Sequence, residues 1–502
     1  MTAGRPQTST DVPAKGPRLG ADTLHGLPAA VQRPTYERRT LRAGIVHLGV
    51  GAFARAHLLP ITEAAIVRDD DRRWGVVGVS LRQPDTRDAL QPQQGLYTLA
   101  LRDGAGTTLQ VVGCLQRVLV APDDPAAVLD ALAQADTRIV SLTVTEKGYC
   151  HDPASGCLRP DHPDIVHDLG ALLPRGAPGF IVRGLQRRRA EGRAGLTLLS
   201  LDNLPANGDT LRGVVLALAE RVEPGLAAWI DARCSFPNSM VDRIVPRTTD
   251  ADRAQVDAAL GLHDAWPVIG EPFADWAVED RFVAGRPDWT AGGARFVEHA
   301  EPYEKLKLRM VNGSHSALAY LGALAGLQTV DQAVADPALR AFVGALLRDE
   351  VAPTLPALPG LDLADYRARL LQRFANPALQ HRLLQIAMDG SQKLPQRWLA
   401  SVRERVRAGA SIERLALAVA GWTLFLRGRD ELGAPLPIDD PLAAVLQAAA
   451  HEEGGVLALA PVFGDLVGHP VFTAAVQRQR HALLTRGVRG AVAQLTAPAL
   501  LE

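Results

Sequence analysis

A lysine, an asparagine and a histidine spaced as Lys307-x4-Asn312-x2-His315 could together handle the proton of an alcohol. Oxidising a secondary alcohol needs a base for the hydroxyl proton while hydride leaves carbon. A lysine serves near neutral pH only when burial or neighbouring positive charge lowers its pKa. A neutral amide can donate to the developing alkoxide without quenching such a base. On an α-helix Asn312 and His315, three apart, share one surface. Lys307 starts about 7.5 Å earlier along the axis, a gap that its side chain spans. Leu306, Met310, Leu318 and Leu321 then serve the core. Taken singly, each polar residue also has a plain structural reading: a solvated lysine, a surface amide, a core histidine.

The second chemical signal is Gly49-x-Gly51, which follows the apolar run Ala43–Gly49 (AGIVHLG) and opens an apolar helical pattern through Val67. Glycines there let the backbone approach a pyrophosphate, and the N–H groups at a helix start meet its charge. Ala54 takes the third-glycine position. An ordinary strand-ending turn is the competing reading, and His57 on the helix reads as a packing residue. No acidic residue closes the second strand, Trp74–Val79, where one would accept the ribose hydroxyls of NAD. Arg82 follows instead. It either faces a 2′-phosphate, the NADP reading, or is a solvated loop charge.

These groups need a scaffold. Strand patterns at Leu96–Leu101 and Leu109–Val112 form a pair turning around Asp103-Gly104, and Arg138–Val144 and Leu196–Leu201 are further buried strands. Helical patterns cover Ala126–Ala133 and Ile181–Ala190, and Asn207 caps a helix running through Ala219. Strands alternating with helices predict a mostly parallel sheet covered on both faces. Beyond Pro302 the pattern becomes helical: Leu306–Leu324, Val330–Leu347, Leu363–Ala375, Ile412–Leu426, Pro441–Ala450 and Phe472–Leu484. The fold class is therefore α/β, a Rossmann-type sheet domain followed by an all-helical domain, with substrate expected between them. The division runs 1–40 as a flexible arm, 41–297 as the nucleotide domain and 298–502 as the helical domain.

Composition narrows the function. With 54 Lys+Arg against 55 Asp+Glu in 502 residues, the net charge of −1 gives no support for nucleic-acid binding. The longest apolar stretch, Leu415–Leu426, is shorter than the roughly 20 residues that a membrane helix needs. Cys114, Cys150, Cys157 and Cys234 lack the spacing of a zinc site or disulfide framework. Dispersed thiols and the absence of a secretory leader pattern point to the cytoplasm. A metal-dependent dehydrogenase is disfavoured for want of a Cys/His ligand cluster.

Gly49-Val50-Gly51-Ala52-Phe53-x-Arg55-Ala56-His57 together with Lys307-x4-Asn312-x2-His315 resembles the mannitol dehydrogenase family, the long-chain, zinc-independent polyol dehydrogenases that include fructuronate reductases (D-mannonate oxidoreductases). Ser200-Leu201-Asp202-Asn203-Leu204-Pro205-x-Asn207-Gly208, Met240–Pro246 (MVDRIVP) and Asp389–Pro395 (DGSQKLP) extend the likeness in family order. The resemblance implies Lys307 as general base without a metal, Asn203 and Asn312 holding the reacting oxygen, His315 orienting substrate, and Glu304 gating the proton. It implies Asp242 and Lys393 at the polyol end. Gly49, Val50, Gly51, Ala52, Phe53 and Arg55 would hold NAD, with Arg82 and Asn203 beside them; NADP stays open. Mannitol-type members carry an arginine eight residues before the Lys393 equivalent, where this chain has Gln385. That departure favours D-mannonate/D-fructuronate, a carboxylate substrate for which Lys393 or Arg397 could supply the cation. Mannitol/fructose is the in-family alternative, and a catalytically silent nucleotide sensor the alternative of another class. The expected state is a monomer or weak homo-oligomer.

Overall fold

The computed structural model describes residues 16–496 apart from 153, 154, 359 and 453. The chain forms two compact units, the first running through Glu298 and the second beginning at His299.

The strands of the first unit are β1 (Ala43–Leu48), β2 (Gly75–Ser80), β3 (Tyr97–Asp103), β4 (Gly106–Val112), β5 (Leu115–Val120), β6 (Ile139–Leu142), β7 (Thr197–Ser200), β8 (Ser239–Asp242), β9 (Val268–Gly270), β10 (Asp275–Glu279) and β11 (Ala294–Val297). Five of them make a parallel sheet in the order β5-β2-β1-β6-β7. Its central strands are apolar on both faces because helices cover both. Val46, Val77 and Val140 meet in register and pack with Phe180, Ile181 and Val214 on one side. Ile45, Val76 and Ile139 point the other way, onto Leu58, Leu59 and Ile66. The Rossmann-type sheet thus follows from continuous apolar strands.

Several sequence expectations need correction. β3 and β4 do form the expected pair, but in a separate three-stranded sheet with β9. The strand beside β2 is β5, which the sequence reading passed over. As an edge strand it alternates buried positions with half-exposed or exposed ones, Gln116 and Arg117 among them, and so lacks the continuous apolar run. Asn207 is not a helix cap. It is buried, and its Nδ2 donates to the carbonyls of Ser200 (3.3 Å), Asp202 (3.0 Å) and Ser239 (2.8 Å), tying the end of β7 to β8. The flexible arm also needs revision. Residues 1–15 lie outside the described residues, but Leu19, Leu27 and Val31 are buried against Leu96, Val111 and Leu260. Tyr36 then donates from its hydroxyl to Glu63 at 2.8 Å. A few apolar side chains in a Pro- and Gly-rich stretch are enough to dock it.

The second unit is built of helices around one core that includes Leu318, Tyr320, Phe342, Trp398 and Trp422. Gly313–Leu324 is buried along its whole length and Glu413–Phe425 along nearly all of it, which is why their apolar residues do not confine themselves to one stripe. The expected Val330–Leu347 helix breaks at Asp336, whose side chain caps Ala338 and Leu339 ahead of Pro337–Leu346. The expected Leu306–Leu324 helix is continuous, but Lys307–Asn312 is wound as a π-helix. Among the described residues no helix is long and apolar enough to cross a membrane.

Candidate active site

β1 ends at Leu48 and the chain turns at once. Gly49 sits at φ +88°, where a Cβ would lie 2.3 Å from the Thr143 carbonyl oxygen, so the fold itself demands glycine. Its N–H donates to the Val79 carbonyl (2.8 Å), and its carbonyl accepts the Thr143 hydroxyl (2.6 Å). Thr143 in turn meets His47 Nε2 at 2.9 Å, and burial lowers the pKa of that imidazole to about 4. Gly51 differs. It is exposed, and a Cβ there would meet nothing closer than 3.8 Å. Nothing inside the fold needs Gly51 to lack a side chain, whereas a pyrophosphate over the turn would.

The helix following this turn is Ala52–Ala56; it breaks at His57 and resumes as Leu58–Asp69. Val50 is buried against Gly78 of β2, Ala52 is exposed and Phe53 half-buried. His57 is buried and stacks on Phe53 at 5.0 Å, a packing role as read. Arg55 is the correction in this set. Its guanidinium turns inward, donating from Nη1 to the Trp266 carbonyl (2.6 Å) and lying over the Tyr97 ring, so it anchors this helix to the unit's interior. Arg82, two residues past β2, donates to Asp164 at 2.5 Å.

Asp202, of the family motif, lies two residues past the end of β7. Buried, with its pKa raised by desolvation, it accepts the N–H groups of Val144 (3.0 Å) and Thr145 (2.9 Å) and the Tyr149 hydroxyl (2.9 Å). It thereby ties the chain leaving β6 to the chain leaving β7. Thr145 is held at φ +64°, a strained conformation for a β-branched residue. Asn203 follows Asp202 directly and is exposed. Asp242 is buried at the end of β8, opposite Asp275 of β10.

In the second unit Glu304 lies on Glu301–Leu306, half-buried, one turn before Lys307. On an α-helix Lys307 and Asn312 would point about 140° apart, since each residue turns about 100°. The i→i+5 ladder of the π-turn instead brings residues five apart onto one side. Asn312 Nδ2 and His315 Nε2 are both buried, with no hydrogen-bond partner among the described residues. Two buried polar groups without a protein partner on adjacent turns are suited to hold a polar ligand. His315 stacks on Phe374 at 4.0 Å and meets His381 edge-on at 5.6 Å. Burial holds its pKa well below the ordinary value, and neighbouring His381, Arg373, Arg397 and Lys307 push the same way, so it is neutral. Arg397 reaches this helix from Pro395–Leu399, donating from Nη1 to Ser316 Oγ (2.7 Å) and to the Asn312 carbonyl (3.4 Å). Lys393 donates to the Met388 carbonyl at 2.6 Å and sits 3.7 Å from Asp389. Gln385 is exposed on Leu383–Ala387.

One group in the first unit has the makings of a metal site. Cys150, His162 and Asp164 bring ligand atoms within 4.8 Å of one another. Two of the three are already engaged: His162 Nδ1 accepts the Asp164 N–H at 3.2 Å, and Asp164 holds Arg82.

Family models agree with this layout. Residues 43–291 match the mannitol dehydrogenase Rossmann domain, and residues 299–484 match the mannitol dehydrogenase C-terminal domain. The chain belongs to the mannitol dehydrogenase family. It is 43% identical over 477 residues to the D-mannonate oxidoreductase of Escherichia coli (strain K12), covering 93% of this chain and 98% of that one. It is 41% identical over 470 residues to a mannitol 2-dehydrogenase of Phaeosphaeria nodorum, covering 92% of this chain and 83% of the other. A mannitol 2-dehydrogenase of Pseudomonas fluorescens, solved as a ternary complex with NAD and D-mannitol, superposes with a TM-score of 0.88 at 39% identity, over 96% of this chain and 100% of that one. This member of the mannitol dehydrogenase family is an NAD(P)-dependent dehydrogenase that acts on the CH–OH group of a sugar alcohol or aldonate.

Proposed function

We propose that the enzyme interconverts D-mannonate and D-fructuronate, with Lys307 as general base and no metal in the proton transfer. The observation that carries the substrate choice is Arg397. It is 9% exposed and burial lowers its pKa to about 10; among the described residues no carboxylate is in salt-bridge contact with it, and Asp389 acts on it only through its charge. A buried charge without a contacting counter-ion is costly, and a substrate carboxylate would relieve that cost. Both described hydrogen bonds of its guanidinium use Nη1, which leaves the other nitrogens for a ligand. Exposed Gln385, where mannitol-type members carry arginine, supports the same choice.

NAD⁺, when bound, supplies the acceptor for the hydride leaving carbon. Lys307 takes the hydroxyl proton at Nζ, and Glu304 passes protons to and from it. Asn312 Nδ2, which lacks a partner, donates to the oxygen as negative charge develops there. Asn203 takes the second amide role that the family pattern gives it. Neutral His315 orients a substrate hydroxyl through Nε2. Lys393 and Asp242 take the far end of the substrate.

A panel of D-mannonate, D-mannitol and D-sorbitol, read by NADH absorbance, tests the choice directly. D-mannonate should be the preferred alcohol. Arg397→Met should cut kcat/KM for it by at least about 30-fold, the lower bound for truncating a buried charge pair, with a much smaller effect on D-mannitol. Preferential oxidation of D-mannitol by the parent enzyme would instead assign the mannitol/fructose reaction, which 41% identity to a mannitol 2-dehydrogenase also favours.

A further inference from the structure

We propose that Asp164 sets the cofactor preference toward NAD(H) by occupying Arg82. In a dinucleotide-binding sheet the residue just past the second strand faces the ribose 2′ position, and an arginine nearby accommodates the phosphate of NADP. Arg82 stands there. β2 ends at Ser80, and its Val79 carbonyl accepts the N–H of Gly49, so the segment leaving β2 emerges beside the glycine turn.

Arg82 does not point freely into solvent. Its Nη2 donates to Asp164 Oδ2 at 2.5 Å. The two partners are unequal: the Asp164 side chain is 14% exposed and that of Arg82 64%, so the acid is the anchored member and the arginine the one drawn to it. Asp164 is the second residue of the helix Pro163–Gly170, where the helix dipole favours a negative charge, and His162 Nδ1 accepts its N–H at 3.2 Å. Cys150 lies against the same pair, and burial pushes its thiol up to about 12, so it adds no charge at neutral pH.

A 2′-phosphate brings about two negative charges. Facing a free guanidinium it would gain a charge-assisted, bidentate contact. Facing Arg82 already paired with Asp164, it meets no net positive charge and a carboxylate beside it. The uncharged 2′-hydroxyl of NAD suffers no such repulsion. Asp164 acts through Arg82 and is a positioning residue for cofactor choice.

The test is fluorescence titration of the full-length protein with NADH and NADPH, without substrate, so that it is independent of which sugar acid is oxidised. The parent should bind NADH more tightly. Asp164→Asn should tighten NADPH binding by up to about fivefold, the upper range for releasing one partly exposed ion pair, and should leave NADH within a smaller factor than that. The gain should vanish in Asp164→Asn/Arg82→Ala and shrink at high salt. A parent that prefers NADPH would overturn the proposal. So would unchanged NADPH affinity in Asp164→Asn, a gain that survives the loss of Arg82, or a parallel loss of both affinities, which would mean that Asp164 only supports its loop. Should Asp164→Asn fail to fold, Asp164→Ser keeps a small polar group at the helix start and is read by the same outcomes.

Discussion

Lys307 and Lys305 are two positions apart and have different surroundings. Lys305 pairs with Glu301 at 2.7 Å on the surface, whereas the charge of Lys307 acts on buried His315. Lys307→Ala should lower turnover by at least about 10²-fold with NAD affinity nearly unchanged, the lower end of general-base contributions. Lys305→Ala should keep most activity. The rise of alcohol oxidation with pH should disappear in Lys307→Ala, and a dead Lys305→Ala beside an active Lys307→Ala would sink the assignment. The two turn glycines make a second contrast. Gly51→Asp should fold normally and lose NADH binding, because its Cβ has space but its carboxylate repels a pyrophosphate. Gly49→Ala should lower the melting temperature, because both its positive φ and the 2.3 Å approach to Thr143 oppose a side chain. Undiminished NADH fluorescence titration in Gly51→Asp would refute the cofactor reading of the turn.

At the level of elements, the chemistry depends on how strand ends and helix turns are held. Asp202 joins the segments leaving β6 and β7 through three hydrogen bonds. Asp202→Ala strands the backbone N–H groups of Val144 and Thr145, while the Tyr149 hydroxyl keeps Ser200 Oγ, and should cost about 2–4 kcal/mol in denaturant unfolding. A midpoint equal to that of the parent would show that water replaces the carboxylate without loss. The helix bearing Lys307 was readable from Leu306, Met310, Leu318 and Leu321, all buried. Its π-turn was not. Apolar spacing at three and four residues reports a helix but not whether its ladder closes at four residues or five. β5 was missed for the related reason that an edge strand with polar positions lacks the continuous apolar signal of its buried neighbours.

For the whole molecule, pH acts on buried imidazoles in both units. Burial lowers His47 in the first unit and His381 in the second to about 4. Unfolded histidine titrates near 6.5, so between about 6.5 and 4 the unfolded chain binds more protons. The contribution of a neutral buried imidazole is therefore complete above about 6.5 and is lost as pH falls toward 4, roughly 3 kcal/mol at most for each. Buried carboxylates with raised pKa, Glu63 and Asp202 among them, act in the opposite sense. The His47 share is thus read as a difference. His47→Gln should be less sensitive than the parent to a shift from pH 7.5 to pH 4.5 in thermal denaturation. An identical pH dependence would mean that His47 is not neutral because of burial.

Local pattern carried the reading a long way, because apolar periodicity and a glycine turn are properties of neighbouring residues. The β1-turn-helix opening, the helical second half and the Lys307/Asn312/His315 spacing could all be read without coordinates. Other features needed the folded chain, since each depends on residues far apart in sequence. Arg55 looked like a cofactor contact until Trp266 and Tyr97 were seen to hold it. Asn207 looked like a cap until Ser239 was found against it. Arg397 is one arginine among many in the sequence. Its meaning comes from being buried beside Asn312 and Ser316 with no acid in salt-bridge contact among the described residues, and whether a charge meets a partner is decided by tertiary packing alone.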